Sequence, residues 1–292
     1  MEIPMPTLIS SAPLPEKSAR NGARSSGVWL AALAAIGLSS LAACGHAPEA
    51  GGSDLADAST RAALAGTWAK QMVFSSESSA LGITTRSKVE RLLLVRATSD
   101  GDRLTTTEEH CEVNTVSSSA AKIDFPESLK RALPVRHQTF TLRDEAGQLR
   151  LGAPTSVEVL GARLADPAGD TLPQSPSDPR VFDLDADGQP GVTIQVSGRL
   201  VLVNIDARIY VTQRTLTQES GTLSDPQTIT GPIRWSMEQY TLGSDNGLLA
   251  RLTPAITPRL DGSAFIMRKL SDDATCATVK ARYASLFTPP RL

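Results

Sequence analysis

The chain has 292 residues, of which 40% are hydrophobic and 21% charged, with a formal net charge of −2. That composition is too apolar for wholesale disorder and is rich enough to bury a core, in one or two domains. The near-neutral balance excludes a dedicated nucleic-acid surface, which needs a basic face to neutralise phosphates, and 4% aromatic residues leave few platforms for stacking bases or sugars.

Arg20 and Arg24 precede an uncharged apolar stretch, Val28 to Leu41, which ends Leu41-Ala42-Ala43-Cys44. A basic start, an apolar middle and small residues at the cut are the parts of a secretory signal, and the run is too short and too rich in small residues for a permanent span. An ordinary signal peptide with a chance cysteine, or an uncleaved anchor, are the other readings. The Leu-Ala-Ala-Cys ending resembles the lipobox of bacterial lipoproteins. The resemblance implies a signal peptide over 1–43, a diacylglyceryl group on the Cys44 sulfur and further acylation, such as palmitate, on its freed amine. Gly45 rather than Asp after the cysteine then implies the outer membrane. The expected address is the bacterial cell envelope, with lipid as the membrane contact.

Residues 44–53, rich in Gly, Ala and Pro, read as a flexible tether, and 54–292 as a single β-rich domain. Asp54 to Leu64 has helical composition. Strands follow at Thr67 to Phe74, Val89 to Thr98 and Arg103 to Asn114, the last two joined by the hairpin signal Ser99-Asp100-Gly101-Asp102. Ser75 to Ser79 reads as a polar loop, and Glu108 with Glu109 as an exposed edge or turn. A helical turn is expected over Phe125 to Leu133, then a second hairpin across Asp144-Glu145-Ala146-Gly147, and a short strand at Ser156 to Leu160. The Pro-rich segment 161–191 breaks the pattern, and a loop this long is functional or disordered. Strands resume over Val192 to Ser197, Leu200 to Thr217, Ile229 to Leu242 and Ala264 to Leu270, with a closing helix from Cys276 to Phe287. Many short strands and tight turns, without βαβ alternation, predict an all-β, antiparallel meander forming a barrel or sandwich, with short helices near the mature N-terminus and at the C-terminus.

With Cys44 used by lipid, Cys111 and Cys276 remain. In an oxidising compartment they read as one disulfide. Two buried thiols, or a metal pair with His110, are the alternatives, the latter lacking a fourth ligand. A short helix, then Gly66-Thr67-Trp68 opening the first strand, a β meander, a late helix and a strand-to-C-terminus disulfide together resemble the lipocalin or calycin arrangement. The resemblance implies that Trp68 closes the base of a barrel whose cavity carries a small apolar ligand.

Asp183-Leu184-Asp185-Ala186-Asp187-Gly188 matches the first half of an EF-hand-like calcium loop: alternate carboxylates turn inward and Gly188 permits the sharp bend. Asp183, Asp185, Asp187 and the Gln189 carbonyl would be the ligands, and hard oxygens suit Ca²⁺. The second half is missing, since Ile194 stands where the bidentate Glu belongs, so a solvated turn is the competing reading; Asp178 or Asp206 could complete a shell. No Gly-x-Ser-x-Gly, HExxH, P-loop or GxGxxG pattern occurs in the mature chain. His46, His110 and His137 select no serine or carboxylate partner. The expectation is a non-enzymatic, lipid-anchored envelope protein with a binding or structural role toward an envelope protein. A lipocalin-like carrier of a small apolar ligand and a calcium-dependent surface module are the alternatives.

Overall fold

The computed structural model describes residues 58–80, 83–200, 203–251, 253 and 255–292. The expected signal segment, Cys44, the expected tether and His46 lie outside the described residues, as does the first part of the expected N-terminal helix. That helix, α1, is described over 58–62. Among the described residues eleven strands follow: β1 (Gly66–Ala80), β2 (Ile83–Asp100), β3 (Arg103–Ser117), β4 (Ala121–Asp124), β5 (Arg136–Glu145), β6 (Gln148–Gly152), β7 (Ser156–Leu160), β8 (Val192–Leu200), β9 (Val203–Asp225), β10 (Thr228–Ser244) and β11 (Ala255–Lys269). Helix α2 (Glu127–Ala132) sits between β4 and β5, and α3 (Cys276–Ala281) and α4 (Tyr283–Leu286) close the chain. No described helix is long and apolar enough to cross a membrane.

The fold is all-β and antiparallel. Eight strands close a ring in the order β1-β2-β3-β5-β6-β9-β10-β11. Closure is local. β6 meets β9 only from Arg150–Thr222 to Gly152–Ser220, and β10 meets β11 only from Thr228 to Pro232. Beyond these pairs the ring splays. The long β9–β10 hairpin continues alone to Tyr210 and Ile209, and β9 takes β7 and then β8 as its other partner, with β4 beyond β8. Over the described residues the strands therefore form a ring that is closed along only part of its length, rather than a regular barrel.

The alternation of β1 and β2 sorts the core. Trp68, Lys70, Met72 and Phe74 pair with Val95, Leu93, Arg91 and Val89, and the period of two keeps these side chains on one face. Trp68, Met72, Phe74, Leu93 and Val95 belong to one buried cluster with Leu104, Phe140, Leu142, Ile229, Ile233 and Phe265. The intervening Leu92 and Leu94 face outward into a second cluster with Ala69, Leu270, Val279, Leu286 and Phe287, where α3 and α4 cover the sheet. A strand buried on both faces is why Leu92-Leu93-Leu94-Val95 reads as an uninterrupted apolar run. The disulfide Cys111–Cys276 ties α3 to β3 across 165 residues.

Two expectations are corrected. Ser75 to Ser79 is not a loop: β1 continues to Ala80, each residue paired with β2. Glu108 is not exposed, but fully buried inside the ring. A bulge in β3 contributes to the second error. Leu92 pairs with Glu112 and Leu93 with His110, leaving Cys111 unpaired, and one extra residue reverses which side chains point inward. Thus Glu108 and Val113 are both buried although their numbers differ in parity.

Candidate functional site

The ring interior is filled at one end and hollow at the other. Trp68 lies at the filled end, fully buried, its indole Nε1 donating to the Leu64 carbonyl at 2.9 Å. The Lys269 ammonium lies 5.2 Å from the centroid of the same ring system. The next layer is ionic. Lys70 Nζ is 2.8 Å from Glu108 Oε1 and 2.6 Å from Glu219 Oε2, and Arg136 reaches the same two carboxylates at 2.6 and 3.0 Å. Thr106 donates to Glu108 at 3.1 Å. Two cations and two anions alternate, which is how charge survives away from water. Burial alone would raise the Glu219 carboxyl, but Lys70 and Arg136 outweigh it and hold it below the usual range.

Beyond this layer lies a cavity of about 150 Å³, between the splayed halves of the ring. Phe74 and Val89 face it from β1 and β2, Val113 from β3, Ile194 from β8 and Trp235 and Met237 from β10; Leu129 and Leu133 close one side from α2 and its end. Phe74 and Trp235 meet edge to face at 5.5 Å, and the Trp235 indole donates to Ser263 Oγ at 2.9 Å, so this wall is fixed in orientation. Ser76, Ser78, Ser87, Gln213, Thr215 and Gln239 supply the polar lining. The cavity is not directly behind Trp68. Six residues of extended chain separate Trp68 from Phe74, roughly 20 Å, and the ionic layer lies between.

Among the described lining residues Arg91 is the one that is charged, and it is neutralised. Its guanidinium meets Glu158 of β7 through both nitrogens, at 3.1 and 2.8 Å, and lies 5.3 Å from the Phe74 ring centroid. Burial would raise the Glu158 carboxyl, but Arg91 holds it low. Sequence reasoning missed this pair because the two residues are 67 positions apart. Close by in charge terms is His110, whose two ring nitrogens are buried without a hydrogen-bond partner. Burial first, then Arg91, pushes its pKa down to about 3 against the pull of Glu158. His137 is elsewhere, near Thr107 at 3.4 Å.

The carboxylates of Asp183, Asp185 and Asp187 do converge: each offers an oxygen, and these lie within 4.8 Å of one another. Asp183 accepts from the amides of Asp187 (3.2 Å) and Gly188 (2.7 Å), and Asp187 accepts from the Gln189 amide (2.9 Å) and from Thr193 Oγ1 (2.6 Å). Gly188 has φ +83°, the bend expected of it. Burial, with Asp187 and then Asp183 beside it, raises the Asp185 pKa. Asp178 is held by Arg180 and Asp206 accepts from Gln195, so neither belongs to the group.

No protein-family model, no characterised protein and no solved structure matches the chain.

Proposed function

We propose that the chain is an exported envelope protein, anchored by lipid on Cys44 at the outer membrane, that carries one small uncharged apolar molecule or the apolar end of a larger one. The carrying observation is the cavity itself: about 150 Å³, walled by Phe74, Val89, Val113, Trp235 and their aliphatic neighbours. Apolar cavities of this size hold molecules on the order of benzene. The selectivity for a neutral ligand follows from Arg91. Its charge is already satisfied in bidentate fashion by Glu158, so an anion entering would lose its water and gain no free cation. A lipocalin-like carrier role fits this arrangement better than a docking surface. Among the described residues the exposed large apolar side chains away from the cavity, Val135, Leu248, Leu260 and Leu292, come from different segments rather than from one element.

The test is calorimetric titration with toluene and with benzoate, which share a ring and differ in charge. Saturable toluene binding, with benzoate at least about tenfold weaker (about 1.4 kcal/mol), supports the reading. Val113→Phe places extra bulk at the wall and should abolish the toluene heat while far-UV dichroism stays the same. Absence of saturable toluene binding, or binding unchanged in Val113→Phe, overturns it.

A further inference from the structure

We propose that Asp183, Asp185 and Asp187 form a Ca²⁺ site that fastens the end of the 161–191 segment to β8. Their clustering alone would not carry this, since acidic turns are common at surfaces. The deciding feature is Asp185. It is only 5% exposed, its Oδ1 has no hydrogen-bond partner, and its carboxylate belongs to the three-carboxylate group. Its other oxygen accepts a long contact from the Thr193 amide, 3.4 Å, and its own backbone amide also acts on the carboxylate. A buried carboxylate oxygen with nothing to accept is costly, and two further carboxylates within 4.8 Å add repulsion. Among the described residues none of the three forms an ion pair with a lysine or arginine; the cation that acts on Asp187 at longer range, Arg208, is itself paired with Asp245. A cation held between the carboxylates satisfies the orphaned oxygen and removes the repulsion together.

The chemistry of the donors selects the ion. All three side chains are hard oxygen ligands, and no histidine or cysteine belongs to the group, which argues against Zn²⁺ and for Ca²⁺ or Mg²⁺. Three carboxylates on one short loop, completed by carbonyls and water, suit the larger and geometrically tolerant Ca²⁺ better than Mg²⁺, which demands a near-ideal octahedron. The consequence is local stiffening. Leu184, between two of the ligands, packs against the cluster of Leu160, Val192 and Val211, and its amide bonds the Gly191 carbonyl at 3.0 Å. This site stands whether or not the neighbouring cavity takes a ligand.

The experiment is titration of the purified full chain, stripped with a chelator, with CaCl₂ and separately with MgCl₂, followed by calorimetry and by Tm. Expected are saturable Ca²⁺ binding with Kd on the order of 10⁻⁴ to 10⁻³ M and a Tm raised by about 3–5 °C at 10 mM Ca²⁺. Asp185→Asn should weaken binding at least about tenfold, yet without calcium it should be no less stable than the parent, because it removes like-charge repulsion. Should that variant fail to fold, Asp187→Asn supplies the same comparison from a more accessible ligand. No saturable heat up to 10 mM Ca²⁺, or binding unchanged in both variants, overturns the site; Mg²⁺ binding as tightly as Ca²⁺ overturns the choice of ion.

Discussion

Lys70 Nζ stands 2.6 Å from Glu219 Oε2 across the inside of the ring, and neither side chain reaches solvent. Because Glu108 and Arg136 complete the set, every charge there depends on the others. Lys70→Met leaves two buried carboxylates facing one guanidinium. It should cost about 3–5 kcal/mol in urea unfolding. Adding Glu219→Gln should return at least about 1 kcal/mol, since it removes one uncompensated charge. Additive losses in the double variant would mean that the two residues do not share one network.

His110 should make the protein sensitive to mild acid. Its folded pKa, about 3, lies below the ordinary 6.5. Between those values the unfolded chain binds more protons than the folded one, so stability is fully present above pH 6.5 and falls as pH drops. The expected slope is about 1.4 kcal/mol per pH unit between roughly pH 6 and 4.5. His110→Leu should flatten it and cost little at pH 7, because the two ring nitrogens have no partner to lose. Urea midpoints at pH 7, 6 and 5 for both proteins decide the matter, and parallel curves would refute it.

Glu158 should set the charge selectivity of the cavity. Glu158→Gln leaves Arg91 with an unneutralised guanidinium in the lining. Benzoate, poorly bound by the parent, should then bind at least about tenfold better, roughly 1.4 kcal/mol, while toluene changes little. Calorimetry with both ligands reads the switch. If benzoate gains nothing, Arg91 does not govern entry.

Removing the Cys111–Cys276 bond should loosen the C-terminal helices first. The bond closes a loop of 165 residues, for which chain entropy gives at most about 5 kcal/mol. Reduction, or the pair Cys111→Ser and Cys276→Ser, should lower unfolding stability by about 2–5 kcal/mol. Hydrogen exchange should show faster opening of α3 and α4 than of the ring strands.

Gly191 is fixed by space as well as by conformation. Its φ is +86°, and an added Cβ would lie 2.3 Å from the Val211 carbonyl oxygen, a backbone atom that cannot step aside. Gly191→Ala should cost more than about 1 kcal/mol and should disturb β8 and the Asp183–Asp187 turn together, since the Leu184 amide bonds the Gly191 carbonyl. An unchanged Tm would show that the loop is free to re-route.

Local chemistry was legible from the residues. Asp100-Gly101 does make the turn between β2 and β3, with Gly101 at φ +57°. Ser156 to Leu160 is a strand with the expected bounds, and Asp183, Asp185 and Asp187 do meet. Strand ends were less legible, because Ser75 to Ser79 and the later part of β9 carry polar residues inside a paired ladder, where propensity yields to tertiary partners. The four-residue β4 was missed for the opposite reason: it is too short to show a period.

The sequence by itself determined the class, the hairpins and the candidate cation loop, because alternation, turn residues and carboxylate spacing are properties of neighbours along the chain. Only the tertiary structure decided where the hollow lies and what neutralises its charge. Lys70 meets Glu219, and Arg91 meets Glu158, through ring closure and splaying that bring together residues far apart in sequence. A single bulge at Cys111 turns the parity of β3, and a period-two pattern read along one strand does not reveal such a shift when the residues around it are mixed in polarity.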